Sequence, residues 1–92
     1  MNHSKISNNV FEENLSHTEF RVLMYLIYRY DYERRYANPT RATIESDCNI
    51  SKNTLGRALK SLEHKGCITR AKSIDSRGWN NIYYIKDSLI VK

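Results

Sequence analysis

The stretch "SKNTLGRALKSLEHKG", residues 51–66, holds the side chains of this chain best suited to chemistry. At about 100° per residue, Leu55, Ala58, Leu59 and Leu62 fall on one arc of a helix. The opposite arc collects Asn53, Gly56, Arg57, Lys60, Ser61 and His64, with Lys52 and Thr54 near the helix start. An Arg guanidinium matches the two acceptors on a guanine edge, and an Asn amide matches adenine. Ser, Thr and Lys serve phosphate oxygens. Polar arcs are usually just solvated, so this one gains meaning only from its surroundings. Gly56 costs a helix about 1 kcal/mol relative to Ala. Facing outward, it either admits a close-approaching backbone or base, or relieves crowding against a neighbouring helix. His64 is read as solvated.

The charge supports a polyanionic partner. Of the net +5 carried by 92 residues, none comes from the first half: residues 1–50 hold six Lys/Arg against seven Asp/Glu. Residues 51–92 hold nine against three, so the excess begins where this helix begins. Other chemistries find little footing. No glycine-rich phosphate loop, nucleophile motif or carboxylate pair with a partner base occurs, so a non-enzymatic protein is expected. His3, His17 and His64 lack the paired spacing of a metal site, and neither a metal nor a cofactor is expected. Cys48 and Cys67 occupy apolar-patterned positions and are read as buried free thiols. With no apolar run long enough for a membrane span or leader, a cytoplasmic, nucleoid-associated location is expected.

The elements that must position the polar arc are legible on both sides of it. Residues 1–14 lack periodicity and read as a flexible arm. Ser16 and Glu19 have capping-box spacing, with Leu15 and Phe20 at the staple positions around them. A long helix is predicted over 17–34, its main apolar face made of Phe20, Leu23, Met24, Leu26, Ile27 and Tyr30. "YANPT" interrupts it, since Asn38 before Pro39 is pushed toward extended geometry, and Thr40 can cap a second helix over 41–48 that buries Ile44 and Cys48. Asn49 suits a left-handed end, and Ser51 caps the third helix, predicted over 52–65, with Gly66 as its stop. "CITRAKSI" and "NIYYI" then predict a β-hairpin over 67–85 with Arg77 and Gly78 near the tip. Trp79, at its base, is expected to pack back on the core, the alternative being stacking on a sugar or base.

In "LSHTEFRVLMYLIYRY", "PTRATIESDCNISKNTLGRALKSLEHKGCI" and the basic hairpin after them, the chain resembles a winged helix-turn-helix domain over residues 15–86. Within that group it is most similar to DNA-binding domains of plasmid and phage replication initiators, related mobile-element proteins and bacterial repressors. It departs from their pattern at Asn49, where Gly is usual, at Cys48, where a larger aliphatic residue is common, and at Gly56, inside the third helix. The resemblance implies an α+β, mainly α fold of three helices plus a β-hairpin wing. It also implies sequence-specific binding of double-stranded DNA, in transcription regulation or as a replication or mobile-element accessory factor. The third helix would enter the major groove through Lys52, Asn53, Thr54, Gly56, Arg57, Lys60 and Ser61. The wing would contribute Arg70, Lys72 and Arg77, and the start of the second helix would set Thr40 and Arg41 on the backbone.

A second class of function remains open. Val22, Tyr25, Tyr28 and Tyr32 lie outside the main face of the first helix, leaving it apolar nearly all round. Together with Leu89 and Val91 of the 87–92 tail, they form a candidate homodimer interface or a docking face for another protein.

Overall fold

Ser16 starts the first helix as its neighbours predict. In the computed structural model, which describes residues 13–76 and 78–90, Ser16 Oγ accepts from the Glu19 amide at 3.1 Å. The Ser16 amide donates back to Glu19 Oε1 at 3.2 Å, completing the capping box. Helix α1, His17–Tyr28, buries Val22, Leu23, Leu26 and Ile27, while Leu15 and Phe20 pack against the same cluster from its edge. Most of the expected N-terminal arm, together with Arg77 and Val91, lies outside the described residues.

The first helix is shorter than its periodicity predicts. It ends at Tyr28 and not near Arg34, because Asp31 diverts the backbone. The Asp31 carboxylate accepts from the amides of Glu33 (2.9 Å) and Arg34 (3.1 Å). Its carbonyl takes the Arg35 amide at 2.7 Å, and its own amide reaches Tyr36 O at 2.9 Å. Arg35 closes this turn at φ 65°. A short acid that bonds its own following amides offers the chain an alternative to helix, which apolar spacing does not register.

Beyond the turn, Thr40 caps α2, Arg41–Cys48, and Asn49 ends it in the left-handed region at φ 55°, ψ 51°. Ser51 then caps α3, Lys52–His64, its Oγ accepting the Thr54 amide at 3.2 Å. Leu55, Ala58, Leu59 and Leu62 are buried, so the predicted inward arc of α3 is the observed one. Strands β1, Ile68–Asp75, and β2, Gly78–Ile85, pair antiparallel from Ile68↔Ile85 to Asp75↔Gly78. Gly78, at φ 103°, supplies a tip conformation that side-chain-bearing residues avoid. Three helices followed by a hairpin make this a mainly helical α+β fold, as the winged arrangement requires.

Two further contacts fix the hairpin to the body. Ala37 and Tyr83 exchange both backbone bonds, at 3.0 and 2.8 Å, laying the segment before α2 along β2. Lys86 N donates to Cys67 O at 2.9 Å, after which a 3₁₀ turn, Asp87–Leu89, buries Leu89 and Ile90 in the core. Cys48 and Cys67 are free and buried, and desolvation pushes both thiols up.

The capping box also ties α1 to the end of α3, since Lys65 Nζ reaches Glu19 Oε1 at 2.6 Å and Asn14 O at 2.8 Å. That hydrogen bond, more than any other influence, holds the Glu19 carboxyl below its usual range. A lowered acid stabilises the fold in full above its ordinary pKa and loses that contribution as pH falls through the folded-state value. Glu19→Gln keeps the cap acceptor and removes the charge. It is expected to cost about 1 kcal/mol at neutral pH, and the cost should vanish in acid. Urea melts of both proteins across that pH range check it, and a pH-independent difference would count against the pairing.

Candidate nucleic-acid interface

The buried arc of α3 leaves Lys52, Asn53, Arg57 and Lys60 exposed along its outer side, with Gly56, Thr54 and Ser61 half-buried beside them. From α2, the Arg41 side chain reaches across to this surface. It is the neighbour that an added Gly56 Cβ would meet, at 3.4 Å from Nη2. Arg41, Lys52, Asn53, Gly56, Arg57 and Lys60 line one open groove of about 470 Å³, with four cations and no carboxylate among them. Arg41 thus lies over Gly56 at ordinary contact distance, with room for a Cβ beneath it. Arg57 also borders two further concavities, one running toward Lys60, Ser61, Glu63 and His64 and the other toward Ser16, Thr18 and Thr54. It stands on the crest of the helix.

Not every expected contact is free to serve a ligand. Thr54 Oγ1 takes the Ser51 hydroxyl at 2.8 Å, and Thr40 Oγ1 accepts the Thr43 amide at 3.1 Å, so both oxygens also take part in helix caps. Arg70 is held by Glu63, with Nη2 and Nε at 3.0 and 3.3 Å from Oε1. Its amide lies 3.4 Å from Oε2, and the pairing draws the Glu63 carboxyl below its usual range. Arg70 is therefore a brace between the end of α3 and the base of β1. Lys72, two pairs further out on the same face and opposite Asn81, is exposed.

The hairpin also corrects the expected packing of Trp79. The indole is 69% exposed and lies opposite Ile74, itself 65% exposed. The strands run on past the body, so the core contacts of this face stop at Tyr83 and the Arg70–Glu63 pair. A cleft of about 180 Å³ separates Asn38, Pro39, Thr40 and Arg41 from Trp79, Asn80 and Asn81. Sequence reasoning missed this cleft. Its signal was the hairpin register, which puts Lys72, Ile74, Trp79 and Asn81 on one face once Gly78 is placed at the turn.

The face proposed for a second chain is narrower than its sequence implied. Val22 and Leu89 are fully buried and belong to the core, which removes both from that candidate face. The helix twist brings Val22 beside Leu23 under the packed elements, and the 3₁₀ turn folds Leu89 inward. Tyr25 donates to Asp47 Oδ2 at 2.5 Å and accepts from Arg29 Nη1 at 2.9 Å, a clamp between α1 and α2. Tyr28 and Tyr32 are the outward members, 52% and 45% exposed.

A helix-turn-helix domain model matches residues 13–68, more than half of the chain, covering all three helices and the start of the hairpin. The chain belongs to the helix-turn-helix family. No curated protein and no solved structure matches it. Membership in this typically non-enzymatic family supports a DNA-binding role. Among the described residues, no cluster of His, Cys, Asp or Glu could hold a metal, and no helix is long and apolar enough to cross a membrane.

Within this helix-turn-helix domain, the contact at Gly56 is with the far end of a flexible side chain. Gly56→Ala is expected to stabilise the fold by about 0.5–1 kcal/mol, the helix-propensity gain. Its melting temperature should rise by roughly 2–8 °C in a domain of this size. Thermal melts decide it, and a loss of stability would show that Arg41 is rigidly held over the glycine.

Proposed function

We propose that the protein binds double-stranded DNA sequence-specifically, with α3 in the major groove and the β1–β2 hairpin as a wing on the neighbouring backbone. The observation that carries this reading is the groove shared by Arg41, Lys52, Asn53, Arg57 and Lys60, whose charged residues are all cations and which is built from two helices. A helix enters a major groove when it protrudes from a body that braces it from behind. Here the brace is α2, and Arg41 extends the same positive surface to the backbone side. Transcription regulation, or an accessory role in replication or mobile-element maintenance, is the cellular task that such binding serves.

The second reading is a protein-interaction module, or a second copy of this chain, docked on the outer side of α1. Exposed Tyr28 at the end of α1 and Tyr32 in the turn after it favour this reading. The charge favours DNA, because the α3 groove holds cations alone, whereas the arginines beside Tyr28 and Tyr32 are interleaved with Asp31 and Glu33.

Titrations on a site selected from a random duplex pool, and on a scrambled one, separate reading from positioning. Arg57→Ala and Asn53→Ala are each expected to cost about 1–3 kcal/mol on the selected site, with a much smaller effect on scrambled DNA. Lys72→Ala should weaken both duplexes alike and flatten the log–log salt slope by about one unit. Arg57 and Asn53 variants that change neither affinity would move the function to the tyrosine side of α1.

A further inference from the structure

The outer half of the hairpin sets two large apolar side chains, Ile74 and Trp79, in solvent, which phosphate contacts do not require. Ile74 and Trp79 face each other across the strands, and Cβ atoms of such pairs lie about 4.5–5.5 Å apart. Adjacent large apolar side chains left in water mark a contact surface. Alternation along the strands puts this pair on the sheet face that holds Ile68, Ile85 and Tyr83 against the core. The wedge therefore projects on the side of the hairpin that faces the helices. Trp79 borders the cleft it shares with Asn38, Thr40, Arg41 and Asn81. Arg41 carries that surface onward into the α3 groove.

The occupant is set by this mixture. Cations, amide groups and a flat apolar plate, with no carboxylate lining cleft or groove, complement a polyanion that carries aromatic faces. Building on the DNA-binding reading above, we infer that Ile74 and Trp79 form a wedge that stacks on a nucleobase at an opened step beside the site held by α3. In an intact duplex each base face is covered by its neighbours, and the minor groove is only about 6 Å wide. An indole finds an apolar face there only where a step opens, and apolar wedges are known to pry steps apart. Asn38 and Asn81, which line the same cleft, carry amides of the kind that bond base edges. Pyrimidine–purine steps open at least cost, so the wing adds a preference for TA or CA/TG beneath it.

Trp79 is the only tryptophan in the chain, so its fluorescence reports this site alone. The experiment titrates the protein into the selected duplex, carrying 2-aminopurine at successive positions in and beside the site. Binding is followed separately by anisotropy. On saturation, 2-aminopurine emission should rise at one position beside the α3 contacts, and Trp79 should become shielded from acrylamide. Trp79→Ala, at an exposed position, should keep the fold but lose the 2-aminopurine signal, along with about 5- to 150-fold in affinity, the range for stacking aromatics. Trp79→Phe should retain most of both. A mismatch at the responsive position should tighten wild-type binding and leave Trp79→Ala unaffected. Duplex binding that leaves 2-aminopurine and the indole unchanged overturns the wedge alone. No duplex binding overturns the wedge and the DNA-binding reading together. Shielding of Trp79 by a co-purifying protein, but not by duplex, overturns the wedge in favour of a protein contact.

Discussion

A helix can offer a whole polar side to a ligand only if its other side is buried firmly enough to hold it in place. In this molecule that constraint falls on Leu55, Ala58, Leu59 and Leu62, whose burial orients α3. The angle at which the helix leaves the body is set just before it. Asn49 reverses the chain in a left-handed conformation, Ile50 tucks against the core, and Ser51 starts the next helix with its hydroxyl on the Thr54 amide. Three residues thereby convert two ordinary amphipathic helices into a brace and a presented surface. Asn at the left-handed position accepts some strain that Gly would avoid, in exchange for a stiffer unfolded chain.

The wing depends on that helix in turn. Glu63, at the end of α3, grips Arg70 on β1, so the hairpin starts from a point fixed relative to the polar arc. Ala37 secures β2 from its other edge, and Lys86 N closes the sheet base onto Cys67. With the base held on three sides, the outer half of the hairpin projects unsupported, which is why Lys72, Ile74 and Trp79 stay in solvent. The burial of Leu89 and Ile90 completes the core beneath it.

Local signals in the chain were reliable wherever a side chain bonds its own backbone. The caps at Ser16, Thr40 and Ser51, the left-handed Asn49 and the apolar arc of α3 were all legible, because each depends on residues within four positions. The Asp31 turn was the exception: apolar spacing continued through it, although the Asp side chain carried the stop. Long-range facts were less accessible. That Arg70 belongs to Glu63, that Arg41 lies over Gly56 and that Trp79 misses the core follow from how far the strands overrun the helices. Hydrophobic pattern alone does not report this distance. Val22 shows the same limit, since a helix packed on several neighbours buries a wider arc than one face predicts.

In the proposed reading, DNA binds on one continuous surface that runs from Arg41 across α3 to the outer hairpin. A titration of isotope-labelled protein with the selected duplex, read through backbone amide NMR signals, tests it residue by residue. The largest changes are expected at Arg41, along Lys52–Ser61 and at Lys72, Ile74 and Trp79, with the amides of Tyr28 and Tyr32 unmoved. Changes centred on Tyr28 and Tyr32, with the outer side of α3 silent, would contradict that reading.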